Sequence, residues 1–419
     1  MNRVQGYGRR LFYCLLGLVA LCATASAEDP GIDIVSAEDS EEALDVAPQA
    51  VVRGRECVAQ LPEVLRKFLR DCTLIEDLNP TRIRRALNAQ RPIAIPIAGE
   101  NIRLTLRRDL TLFPATAIKG VEFRRFHWSA KAVSNTFVGT ILDASESDAA
   151  VTISDDNQFI YGFGSLGGEA KAQFYFETLP EPRRKLLRVL TYRGSDVIIN
   201  WSLPDDDAPK SQGRSRERFV PQLHTNQRIL GHGDLSFINH LGSISGAFAR
   251  MEFLLTCVRL YYNLFTDVRF QIAELWLRLS NFGPTDATAL RDTFQTHMES
   301  VAHQPGATYH VAHLFTGVNT DGSTIGLSQF PGAGPLGHYA ISQMVPEPGF
   351  YDATVYGQGI LVAHEIGHNY DATHGSCDPG PPADIMCAGG LGGPETRIVS
   401  FSGASVGLID AEEAVKTTR

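Results

Sequence analysis

The run His364-Glu365-Ile366-Gly367-His368-Asn369-Tyr370-Asp371-Ala372-Thr373-His374 constrains this chain more than any other stretch. On a helix, His364 and His368 stand four residues apart and share one face, while Glu365 lies about 100° round and can address a metal-bound water. The third imidazole needs a different geometry. A helix continued from His368 would carry His374 about 9 Å along the axis and point it away. Zn–N bonds are about 2.0–2.1 Å, so His374 joins the other two only if the helix stops and the chain doubles back near Asp371.

The pattern resembles the metzincin metallopeptidases, whose extended motif is HExxHxxGxxH followed by a methionine-containing turn. Asp384-Ile385-Met386-Cys387 corresponds to that turn. Leu361-Val362-Ala363 ahead of the first histidine, and Ile366-Gly367-His368-Asn369, are most similar to the adamalysin/reprolysin branch. Two positions depart from it. Asp371 stands where the family has glycine, and Asp visits left-handed backbone angles at a cost of roughly 1 kcal/mol. Gly375 follows the third histidine where many adamalysins carry Asp.

The resemblance covers roughly residues 219–405 and is strongest over 309–390. It implies an α+β, metzincin-type (zincin) catalytic domain with a mixed β-sheet and a zinc helix. One catalytic Zn2+ is then held by His364, His368 and His374 above an apolar floor formed by Met386, with Glu365 as general base in peptide-bond hydrolysis. Protein or peptide substrates follow. They are expected to lie extended and antiparallel to an edge strand around Tyr339 to Ser342.

Composition narrows the remaining classes. With 38 basic against 47 acidic residues, a net charge of −9, no basic field attracts nucleic acid. Arg3, Arg9 and Arg10 precede the apolar stretch Leu11 to Ala23, and Ala25-Ser26-Ala27 forms a small-residue cleavage site. Residues 1–27 therefore read as a signal peptide, and no later segment is apolar for long enough to give a stable membrane span. A secreted protein, extracellular or periplasmic, is expected. Of the seven cysteines, Cys14 and Cys22 leave with that peptide. Cys377 and Cys387 flank the turn after the third histidine and form a candidate disulfide. Cys57 and Cys72 either pair or supply a thiolate that blocks the metal, and Cys257 is left over.

The chain divides by composition. Residues 28–50 are acidic and poor in aromatics, as in a flexible segment. Residues 51–203 read as a β-rich pro-domain. Pro62 opens a short helix carrying Val64, Leu65, Phe68 and Leu69, and strands follow at Ile102–Leu106, Val121–Trp128, Thr136–Leu142 and Val151–Ile153. Residues 204–218 pass from Asp205-Asp206-Asp207 to Arg214, Arg216 and Arg218 and form a cleavable linker, suited to an activation site. Residues 219–419 form the catalytic domain: a helix from Ile244 to Leu264, a strand from Arg269 to Leu277, a helix from Ala287 to Ser300 capped by Thr285 or Asp286, and strands Tyr309–Phe315, Thr324–Ser328 and Tyr339–Ser342 ahead of the zinc helix.

Other histidines are read as structural: His127 beside Trp128, and His310 and His313, whose odd spacing on a strand faces them oppositely. Two alternatives stay open. The third ligand can be a distant glutamate, with Glu395 nearest, although Gly392-Gly393-Pro394 suits no helix there. The chain can also be a zinc-binding but catalytically weak adhesion or inhibitor module, against which the intact Glu365 argues.

Overall fold

Alternating apolar residues bounded by Gly, Asn and Asp build much of the first half of the chain into strands. The computed structural model describes residues 44–45, 51–67, 69–97, 99–123, 126–142, 144, 147–165, 173–179, 187–197, 226–300, 309–321, 324–330, 338–344, 354–374, 383–387 and 399–417. The signal-peptide and linker assignments, Cys377, Gly375 and Glu395 fall outside them.

The first part holds β1 (Leu44–Asp45), β2 (Val51–Arg53), α1 (Gly54–Gln60), α2 (Glu63–Arg66), β3 (Thr73–Leu78), α3 (Pro80–Asn88), β4 (Ile93–Ile97), β5 (Glu100–Arg108), β6 (Ile118–Phe123), β7 (Phe126–Lys131), β8 (Thr136–Ile141), β9 (Asp148–Ile153), β10 (Ile160–Ser165), β11 (Phe174–Thr178) and β12 (Leu187–Arg193). The second holds β13 (Asn226–Gly233), α4 (Leu235–Leu241), α5 (Ile244–Phe265), β14 (Arg269–Arg278), α6 (Ala287–Glu299), β15 (Val311–Thr316), β16 (Gly326–Ser328), β17 (His338–Gln343), α7 (Val355–Asn369), β18 (Ala383–Asp384), β19 (Val399–Ser400) and α8 (Gly403–Thr417).

Ten strands form one sheet in the order β1-β4-β5-β8-β9-β10-β11-β12-β3-β2, antiparallel except where β1 lies parallel to β4. The end of the acidic segment thus adds a short strand to an edge, where backbone pairing compensates for its lack of apolar side chains. Seven strands form the other sheet in the order β16-β17-β15-β13-β14-β6-β7, with a parallel centre and antiparallel β16 and β7 at its two edges.

That second sheet redistributes the sequence. Residues 121–128, read as one strand, are instead parts of β6 and β7, paired as a hairpin with Phe123 opposite Phe126. Apolar residues two apart on either side of Arg124-Arg125 let both strands read as one run. The hairpin also joins the parallel sheet through β14, although it comes from the β-rich first half. The helix expected to start at Pro62 shrinks to the four residues of α2. Asp286 caps α6, its carboxylate accepting from Ala289 N at 2.8 Å.

One buried cluster spans both halves, bringing Tyr161, Phe163, Tyr175 and Tyr192 against Val258, Tyr261, Tyr356 and Ile360. Polar anchors sit inside the same contact. Glu252 of α5, fully buried, accepts from Lys119 Nζ (2.7 Å), Asn135 N (2.7 Å), Thr136 Oγ1 (2.9 Å) and Ser134 Oγ (3.2 Å). Among the described residues no single helix is long and apolar enough to cross a membrane.

Removing one partner of a buried ion pair strands the other, so Glu252→Ala is expected to lose about 3–5 kcal/mol of stability. Chemical denaturation checks this against exposed Glu56→Ala, for which a change within about 0.5 kcal/mol is expected.

Candidate metal centre

His364, Glu365 and His368 lie on α7, whose start looks poor by propensity because Gly357 and Gly359 fall in its first turns. Packing overrides this. All fifteen residues of α7 are buried, and a Cβ on Gly359 would already press on Cys257 of α5 at 3.4 Å. Burial also obliges the helix to find protein partners for its first amide groups. Thr354 accepts from Gly357 N at 3.1 Å, and Glu177 of β11 accepts from Val355 N at 3.1 Å.

At its other end α7 stops where the geometry of the third ligand requires. Ala372 N donates to Gly367 O (3.1 Å) and Asp371 N to His368 O (3.1 Å), the two bonds of a Schellman turn. Asp371 takes the left-handed position of that turn, with φ of 65°. The reversal brings His374 back to the helix. The Nε2 atoms of His364, His368 and His374 lie 3.0–3.1 Å from one another. Those separations are within a few tenths of an ångström of the roughly 3.3 Å edge of a tetrahedron with 2.0–2.1 Å bonds.

Backbone carbonyls fix how two of the rings present themselves. His364 Nδ1 lies 2.6 Å from Ile385 O, and His368 Nδ1 lies 2.7 Å from Ala372 O. A carbonyl only accepts, so both Nδ1 atoms carry the proton and both Nε2 lone pairs face the centre. Burial, with the neighbouring His374 adding to it, pushes the His364 imidazole down to about 3, and burial likewise drives His368 well below the ordinary value. Neutral rings with converging lone pairs repel one another unless a cation sits between them. The three residues therefore fit a divalent zinc ion by chemistry and by spacing.

Glu365, also buried, points to the edge strand β16. Ser328 Oγ lies between its carboxylate Oε2 (2.6 Å) and its backbone O (2.7 Å). A Cβ on Gly326 would stand 2.3 Å from Glu365 Oε1, so the carboxylate rests on bare backbone there. Neither Gly326 nor Ser328 was found from sequence, where both were only members of a short strand. Met386 is fully buried and packs beneath Gly367, whose absent Cβ would sit 2.3 Å from the Met386 sulfur. Gly367 lies on α7 between the first two ligands.

Other expectations sort themselves around this centre. Tyr339 to Ser342 belong to β17, which pairs on both sides, so the free edge is β16. A three-residue strand gave too little periodicity to reveal that order. His310 Nδ1 accepts from Arg228 N at 2.8 Å, and buried His313 lies 3.0 Å from Ser342 Oγ, both away from the triad. Cys57 and Cys72 are joined in a disulfide, which leaves neither as a thiolate for the metal. Cys387 is disulfide-bonded, and Cys257 is free and buried.

Residues 248–375 match the family model described as Metallo-peptidase family M12B Reprolysin-like. This stretch of the chain is reprolysin-like. It begins within α5 and ends one residue past His374. A solved structure, metalloproteinase-II from Bacteroides fragilis, is similar with a TM-score of 0.46 at 12% identity, over 88% of this chain and 98% of that one. A second, a chaperone-substrate complex, gives a TM-score of 0.34 at 13% identity, over 46% of this chain and 35% of that one. No curated protein matches the chain. The matched family is one of metal-dependent peptide hydrolases.

The reprolysin-like turn can be tested at its unusual residue. Asp371→Gly keeps the left-handed position and is expected to change stability by less than about 1 kcal/mol. Asp371→Val places a β-branched residue there, with an expected loss of roughly 1–3 kcal/mol and weaker zinc binding. Thermal melts with zinc titration compare the two.

Proposed function

We propose that this chain is a secreted zinc metalloendopeptidase, made as a zymogen, in which Glu365 is the general base. The observation that carries the reading is the convergence of three Nε2 atoms within 3.1 Å, next to a carboxylate on the same helix. His364, His368 and His374 would hold the ion. Zinc bound there would supply Lewis acidity, polarising a peptide carbonyl and acidifying a water.

The chain's own groups do the rest. Glu365 takes a proton from the attacking water and returns it to the leaving amine as the C–N bond breaks. Ser328 holds one carboxylate oxygen by hydrogen bonding, and bare Gly326 gives the other room. The outer edge of β16 offers backbone amide and carbonyl groups to an extended peptide, which sets the scissile bond beside Glu365. Residues 51–203 act as the pro-domain in this reading, residues 204–218 as the activation site, and residues 1–27 as the export signal.

Cleavage of casein or a quenched-fluorescence peptide tests the reaction. Glu365→Gln is expected to lower kcat by about 10^2–10^4-fold while zinc content stays unchanged, and chelation should abolish turnover. Zinc binding by the processed wild-type protein with no cleavage of either substrate would favour the adhesion or inhibitor module instead. N-terminal sequencing of the exported protein is expected to find one start after Ala27 and, once processed, a second between Arg214 and Arg218. A single start at Met1 would overturn both assignments.

A further inference from the structure

A second group of chemistry-bearing side chains lies at the opposite side of the seven-stranded sheet. Glu122 comes from β6, His232 from β13 and His297 from the last turn of α6, and their ligand atoms all lie within 4.8 Å of one another. Glu122 and His232 fall outside the segment that matches the reprolysin-like family, so the likeness does not account for the group.

Its geometry parallels that of the first centre. Glu122 Oε1 lies 2.9 Å from His297 Nε2 and 3.4 Å from His232 Nε2, against 3.0–3.1 Å among the three Nε2 atoms of the triad. The His232 and His297 rings stand edge to face, 5.5 Å apart, much as His364 and His368 do at 4.6 Å. Phe282 and Phe294 pack against His232 and close the surroundings with apolar rings. The side chain of His232 is 0% exposed and that of Glu122 3%. A carboxylate that deeply buried needs positive charge nearby.

Arg278 brings a permanent cation close to it. Its NH1 stands 3.6 Å from Glu122 Oε1 and 2.9 Å from His297 Nδ1, and its guanidinium lies over the Phe282 ring at 4.5 Å. With no metal, Arg278 donates to His297 Nδ1, and His297 Nε2–H donates to Glu122. A metal on His297 Nε2 moves the proton to Nδ1, which then cannot accept from a guanidinium. Arg278 is 24% exposed, so it can swing to solvent as the incoming dication replaces its charge. His127, opposite Glu122 on β7 with Nδ1 3.6 Å from Oε2, stands by the other carboxylate oxygen.

We propose that Glu122, His232 and His297 form a second, structural metal site that takes a divalent first-row ion, zinc foremost. Two imidazoles and a carboxylate are a ligand set that zinc accepts. Because β6 belongs to the first half of the chain while β13 and α6 belong to the second, the ion would staple the β6–β7 hairpin onto the parallel sheet. Arg278 acts as the competing cation.

Metal analysis of the full chain after zinc loading and gel filtration tests this. Wild-type protein is expected to hold two zinc equivalents, His364→Ala/His368→Ala to retain one, and addition of His232→Ala/His297→Ala to that variant to retain none. Zero zinc in His364→Ala/His368→Ala would overturn the proposal. One equivalent in both wild type and that variant would support the second site and count against the triad. Arg278→Gln, read by cobalt absorption in the triad-deleted chain, avoids disturbing the ligands. Its amide oxygen can accept from His297 Nδ1–H, so cobalt is expected to bind at least about 10-fold tighter. Unchanged or weaker binding would overturn the proposal.

Discussion

A helix buried on every side dictates much of this structure. All fifteen residues of α7 are buried, so water has little access to the backbone groups left over at its ends. At the N-terminus a carboxylate from β11, more than a hundred residues earlier in sequence, takes part of that role alongside Thr354. Burial raises the Glu177 carboxyl above its ordinary range, and Arg250, at 3.5 Å, works in the opposite direction. At the C-terminus the chain satisfies its own carbonyls by turning back, and that reversal delivers the third imidazole. Helix termination and ligand placement are one event here.

The same turn has a second use. Ala372 closes the Schellman turn through its N–H and orients His368 through its carbonyl, at 2.7 Å from Nδ1. Ile385, next to the methionine under the helix, does the equivalent for His364 at 2.6 Å. The rings are thus held from outside by backbone, which is stiffer than side-chain support. Polar side chains are kept for Glu365, where Ser328 approaches from an edge strand.

Much of the centre could be read from sequence because its parts are local. The spacing of His364, Glu365 and His368 fixes their relation on any helix, and the need to return His374 located the turn at Asp371, which takes φ of 65°. The elements of the second half were read closely for the same reason: α5 and β14 are long, periodic and bounded. What escaped was non-local. Nothing near Ser328 announces that it will lie against Glu365, and nothing near Glu122 announces His232 or His297. The order of strands in a sheet is set by which edges meet, and the short β16 carries little pattern to betray it. The β6–β7 hairpin was misread because Arg124-Arg125, where the apolar alternation changes phase between Phe123 and Phe126, was passed over as part of one strand.

That hairpin has a consequence for how the chain reaches its fold. Ile118 of β6 pairs beside Glu274 of β14, so the parallel sheet cannot gain its outer strands until segments roughly 150 residues apart in sequence have met. Loop-closure entropy is therefore paid before the contact returns anything, and the early hairpin must wait with an open edge while the later strand is made. Folding of such a topology is slow. Part of the buried core spans both sheets, so opening either one disturbs the other, and loss of the fold is expected to be read as an unfolding rate as much as an equilibrium.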